Sequence, residues 1–195
     1  MYLNENAFLD FLKEKEITWI GIDFSMAKFT KKGFNYSQEI LQHFMNAWNM
    51  LIISDQKKYD IRLSFRKPIM EYNLSMVTKK NKSVRLNTLL SDFINLANIY
   101  SEKDIIDYIK TLDTPQHSTY ALMFLVESFD EMTKTGSVWV IILNANSHEV
   151  ILCEKFLKKP GGLGTKNYWA RVFYNLLFDI QKNAFSRWEN SVKSI

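Results

Sequence analysis

Three apolar runs of strand length follow one another between residues 120 and 156, and they constrain the fold more than any other feature of the chain. Tyr120 to Phe129, Ser137 to Asn144 and Glu149 to Phe156 are separated only by Asp130-Glu131-Met132-Thr133-Lys134-Thr135-Gly136 and by Ala145-Asn146-Ser147-His148. Connections this short and this rich in turn residues favour antiparallel neighbours, since a parallel crossover needs a dozen residues or more. A turn cluster follows, Pro160-Gly161-Gly162-Leu163-Gly164. Asn167 then stands as a helix cap before Trp169, Val172, Phe173, Leu176, Ile180, Ala184 and Trp188, which share one helical stripe. The C-terminal half therefore reads as a three-strand meander with a long amphipathic helix packed across it.

The upstream half supplies the rest of a mixed sheet. Phe8, Phe11 and Leu12 have helical spacing within Asn6 to Lys15, and Ile17 to Phe24 is β-branched and aromatic, as a strand should be. Gly21 inside that strand lets a neighbouring backbone or helix come close. Ser37 opens a helix of about four turns with Ile40, Leu41, Phe44, Ala47, Trp48 and Leu51 on one face. Ile61 to Val77 holds strand-like pieces interrupted by Pro68, which suits an edge strand or an extended segment. Thr78 to Arg85 reads as a basic, mobile loop. Leu86 to Ala97 is ambiguous, with a weak helical pattern of Leu89, Leu90, Phe93 and Leu96. Ser101 and Asp104 form a short capping box for a helix from Glu102 to Leu112, stopped by Asp113-Thr114-Pro115. The expectation is a single α/β (α+β) domain over residues 1–195, in two or three layers, with a mixed sheet of four to six strands.

Composition excludes several classes. With 47% hydrophobic residues, 14% aromatics and few glycines and prolines, the chain has a core and is not a disordered segment. A chain of this length buries roughly 70% of its unfolded surface. The net charge of +4 permits weak attraction to nucleic acid without demanding it. Cys153 has no partner for an internal disulfide and sits in a strand pattern, as a buried, inert thiol would. Met1 to Asn6 shows no signal peptide, so a cytoplasmic location is the default, with the envelope open if a leader has been removed. The longest apolar runs fall far short of the roughly 20 residues a membrane helix needs.

No catalytic constellation stands out. Lys158 to Lys166 runs from a strand through the glycines into a helix start, a place where an anion can bind. Its spacing matches neither phosphate-loop pattern, so the glycines also read as turn geometry and tight packing. Gly161, Gly162, Gly164, Lys166 and Asn167 are the candidate ligand residues, with Tyr168 and Trp169 as interface candidates. His43, His117 and His148 lack neighbours at metal-ligand spacing, and no cofactor or metal is expected. Asp23 with Ser25, and Glu127 with Asp130, lie at strand ends, where solvated turn residues and acid–base groups both occur. Lys31, Lys32, Lys57, Lys58, Lys79, Lys80, Lys82 and Arg85 form a basic surface only if their loops converge. The aromatics Tyr168, Trp169, Phe173, Tyr174, Phe178, Phe185 and Trp188 exceed one core stripe, so they either reach a partner or are sandwiched in the core.

Ser137-Val138-Trp139-Val140, Gly161-Gly162-Leu163-Gly164 and Asn167-Tyr168-Trp169-Ala170, with Trp19 to Ser25 near the start, resemble an uncharacterised family from Bacteroidetes genomes. Its members are often exported and have no established activity, so the resemblance carries over no catalytic residue. The order of elements is also similar to the periplasmic domains of the curli-secretion lipoprotein and of penicillin-binding-protein activator lipoproteins. That similarity implies a fold and not a function. This chain lacks their lipoprotein signal and cysteine and departs from the pattern there. The expectation is a binding or assembly protein, with a protein partner or a second copy on the Gly161 to Trp169 turn and helix start or on an exposed edge, and with nucleic acid disfavoured. A small-anion or nucleotide-handling enzyme on the same turn is the alternative, and weak nucleic-acid binding through the lysines is the next.

Overall fold

The computed structural model describes residues 1–92, 98–114 and 118–193. The chain opens with β1 (Tyr2–Leu3), α1 (Glu5–Lys13), β2 (Glu16–Asp23) and β3 (Lys28–Thr30), then a 3-10 turn at Lys31–Gly33. The middle holds α2 (Gln38–Ser54), α3 (Ile61–Ser64), β4 (Ile69–Tyr72), α4 (Ser75–Ser83), α5 (Leu86–Leu89), β5 (Leu90–Ser91) and α6 (Glu102–Ile109). The meander is β6 (Tyr120–Asp130), β7 (Thr135–Asn144) and β8 (Val150–Lys158). After it, α7 (Thr165–Asp179), a π turn (Ile180–Ala184) and α8 (Phe185–Lys193) run on as one rod.

The meander is antiparallel throughout, and β2 joins it as a parallel neighbour of β6 with β4 parallel on its far edge. The strand order β1-β8-β7-β6-β2-β4, with β3 pairing β6 and β5, makes a mixed sheet of eight strands among the described residues. Four to six were expected. The difference lies in β1, β3 and β5, two or three residues each, which are too short to carry a hydrophobic period.

Alternate residues of β6 and β7 feed two cores. Leu122, Phe124, Val126, Val138, Val140 and Ile142 face the larger one with α1, α2, α7 and α8. Ala121, Met123, Leu125, Trp139, Ile141 and Leu143 face a smaller one covered by Ile105 and Ile109 of α6. The sheet is therefore the middle of three layers. At the heart of the larger core, Phe129 stacks between Phe29 at 4.9 Å and Trp169 at 4.5 Å. Each such pair adds about 1 kcal/mol beyond its buried area.

The helix ends follow the sequence in most places. Ser37 caps α2 by accepting from the Ile40 amide, and Ser101 and Asp104 form the expected reciprocal box at α6. Pro68 precedes β4, which is an edge strand as its position predicts. Three expectations change. The basic stretch read as a loop from Thr78 lies mainly in α4, which lies along the edge of β2 with Val77 and Asn81 buried. The buried face of α2 is Leu41, Met45, Trp48, Asn49 and Ile52, while Ile40 is exposed. Asn167 lies inside α7, whose cap is Gly164, and no side chain closes that end. Phe93, Leu96, Pro115 and His117 lie outside the described residues. No helix among the described residues is long and apolar enough to cross a membrane.

Candidate functional site

The glycine turn is exposed from Gly162 to Gly164, and its backbone is fixed on both sides. The Gly161 amide donates to the Tyr168 carbonyl and the Tyr168 amide to the Gly164 carbonyl, both at 2.9 Å. Trp48 Nε1 donates to the Lys166 carbonyl at 2.8 Å, and the Tyr36 hydroxyl meets Thr165 Oγ1 at 2.5 Å. Gly162 and Gly164 have φ of +112° and +76°, backbone that side chains with a Cβ resist. A Cβ on either would touch nothing closer than 3.7 Å, so these glycines serve the turn and not tight packing.

This turn borders an open hollow of about 460 Å³, lined by Lys32, Gly33, Glu131, Lys134, Gly162, Gly164, Thr165, Tyr168 and Trp169. Of the five ligand candidates, Gly162 and Gly164 line it, and Gly161, Lys166 and Asn167 do not. The first amides of α7 have no side-chain cap, which leaves donors and partial positive charge near two lysines and one glutamate. Leu163 at the apex is 91% exposed. Trp169 is 1% exposed and stacked in the core, which corrects its place as an interface residue and leaves Tyr168, half-buried, in that role. Phe173, Phe185 and Trp188 are buried too, so most of the aromatic surplus fills the core and Phe178 remains exposed.

Of the strand-end carboxylates, Asp130 accepts from the Met132 and Thr133 amides of its own hairpin, whereas Asp23 and Glu127 tie α6 and the residues before it to the sheet. Asp23 accepts from the Ser25 amide at 2.8 Å and from the Tyr108 hydroxyl, and Ser25 Oγ lies 2.6 Å from that hydroxyl. Glu127 is placed by a bulge in β6 between Val126 and Ser128. It accepts from the Ile99 and Tyr100 amides at 3.0 and 2.9 Å and from the Ser137 hydroxyl, with Lys155 Nζ at 3.5 Å. Burial first, and then the Asp23 carboxylate, hold the Tyr108 hydroxyl well above its ordinary value. The hydroxyl therefore stays protonated and donates to Asp23. Both carboxylates are satisfied by the chain itself, and their arrangement docks α6.

A third polar arrangement was not read from the sequence. Among the described residues no strand lies beside the edge of β2 beyond Trp19, because β4 pairs only with Glu16 to Trp19. Two side-chain amides take the strand's place. Asn49 accepts from the Ile22 amide at 2.7 Å and donates to the Ile22 and Met45 carbonyls. Asn81 accepts from the Phe24 amide and donates to the Ile22 carbonyl, both at 2.8 Å. Gly21 makes the approach possible, since a Cβ there would lie 2.8 Å from Asn49 Oδ1. The glycine was the available signal, and the helix residues it admits were not.

Among the described residues no three His, Cys, Asp or Glu side chains are placed to share a metal ion. His43 is exposed on α2 and His148 occupies a turn with φ of +59°. Burial pushes the Cys153 thiol up to about 12, in keeping with an inert side chain. Lys31 pairs with Asp92, and Lys80 lies over the Tyr108 ring. Lys31 and Lys32 lie in the 3-10 turn before α2, and Lys57 and Lys58 follow its other end, with the helix about 25 Å long between them in the chain. No protein-family model matches this chain, and no curated protein does.

Proposed function

We propose that this chain is a binding protein, not an enzyme, which takes an acidic segment of a protein partner on the Gly162 to Tyr168 turn. The observation that carries the reading is Leu163, an apolar side chain 91% exposed at the apex of a turn fixed by four hydrogen bonds. Holding an apolar group rigidly in water is unfavourable for a free surface and favourable for docking, because the ordering is complete before the partner arrives. Lys32, Lys134 and the uncapped start of α7 favour carboxylates beside it, and Glu131 sets the register by repelling them locally. The satisfied state of Asp23 and Glu127 supports a non-catalytic role.

Selection from a displayed random-peptide library tests this. Binders should be enriched in Asp or Glu next to a large apolar residue. Their affinity should fall with salt and drop about tenfold in Lys32→Gln/Lys134→Gln and in Leu163→Ser. Binders without acidic residues, or unaffected by these changes, would refute it. Saturable binding of phosphate compounds at the turn, with no peptide selected, would favour the small-anion alternative.

A further inference from the structure

We propose that the cleft between α2 and α4 is a second binding site, for a polyhydroxylated molecule of about monosaccharide size that carries one acidic group. The cleft encloses about 250 Å³ and is lined by Gln42, Asn46, Asn49, Thr78, Asn81 and Lys82. That is below the roughly 300–1,000 Å³ of sites for drug-sized molecules and suits one ring with its hydroxyls.

The chemistry of the lining is selective. Five of the six residues are neutral hydrogen-bonding side chains, and no carboxylate is among them. Asn49 and Asn81 form a preset floor: backbone groups of β2 fix which end of each amide is oxygen and which is nitrogen. Asn81 has one N–H left over after its bond to Ile22, and each amide oxygen has a spare lone pair. The Asn46 amide, the Thr78 hydroxyl and the Lys82 ammonium have no side-chain partner among the described residues, and Gln42 is held by its bond to the Lys82 carbonyl. Rigid donors and acceptors at the floor with free ones at the mouth suit a molecule offering several hydroxyls. The single cation asks for a single anionic group. The cleft also lies beside Ile22 and Phe24, at the carboxyl end of a parallel strand, where open α/β sheets receive ligands.

Glucose, glucuronate and glucose 6-phosphate, each titrated into the full chain up to about 10 mM, where a site with Kd of ~1 mM is nine-tenths filled, provide the test. The readout is the backbone amide resonances of residues 42–49 and 78–82. The two acidic sugars should shift these resonances saturably, and glucose should bind about tenfold more weakly. Lys82→Met should remove that preference, and Asn46→Leu should abolish binding of all three. Asn46 and Lys82 are exposed, so both variants keep the fold. No saturable shift from any of the three, equal binding of glucose, or acidic-sugar binding unchanged in Lys82→Met would overturn the proposal.

Discussion

Replacing Asn49 by leucine should cost far more than a change on a helix surface, because the side chain acts as a piece of sheet. It removes three hydrogen bonds at 2.7, 2.9 and 3.1 Å and leaves the Ile22 amide with no acceptor inside the protein. Leucine has the same branching with bulkier methyl groups, so no cavity opens and any overpacking beside Gly21 adds to the cost. The orphaned buried donor costs roughly 1–3 kcal/mol and the two other lost bonds about 1 kcal/mol each net, which together give about 3–5 kcal/mol. That is a large part of the 5–15 kcal/mol of a typical domain. Asn81→Leu loses two bonds, and the Ile22 carbonyl keeps one donor in either single variant. Only the double variant orphans that carbonyl, so its cost should exceed the sum of the singles by about 1 kcal/mol. Urea unfolding gives the three values, and hydrogen exchange at Ile22 and Phe24 locates them. A cost below about 1 kcal/mol for Asn49→Leu, with unchanged exchange at Ile22, would show that Asn49 does not act as part of the sheet.

Other consequences follow from the same geometry. Lys67 is buried under the end of α1, donating to the Phe11 and Glu14 carbonyls, and burial lowers its pKa to about 8 from 10.5. Between those values the unfolded chain holds a proton that the folded chain has released, so the lysine's contribution to stability rises with pH through that window. Measured against Lys67→Met, it should gain about 2–3 kcal/mol from pH 7 to pH 10, and a flat difference would contradict this. Gly164→Ala should cost about 1–3 kcal/mol because its φ is +76°, while Gly161→Ala should stay within about 0.5 kcal/mol. Thermal unfolding separates the two. Glu127→Leu leaves the Ile99 and Tyr100 amides and the Ser137 hydroxyl unpaired and should cost about 3 kcal/mol, with Glu127→Gln much milder. Faster exchange at Ile99 and Tyr100 is the readout.

The meander and the final helix were legible because consecutive apolar strands and a repeating apolar stripe leave few alternatives. Trp169, Val172, Phe173, Leu176, Ile180, Ala184 and Trp188 are all buried as the stripe predicts. What sequence could not show was polar burial. Asn49 and Asn81 look like solvated helix residues, and only their position against an unpaired strand edge makes them interior. The stretch around Lys79, Lys80 and Lys82 looks like a loop because α4 has little apolar content of its own, and its support comes from Val77 and Asn81 at the sheet edge. The glycine turn was recognisable as a turn. Its division of labour was not, since backbone angle and not packing accounts for Gly162 and Gly164, and Trp169 belongs to the core.

The proposed role of the turn is tested most directly by titrating a selected acidic peptide into the isotopically labelled chain and mapping amide shifts. Saturable changes should be confined to residues 32–33, 131–134 and 162–168 and lost in Leu163→Ser. Changes centred instead on the β4 edge, on α6 or on the exposed Phe178, with the turn silent, would contradict it.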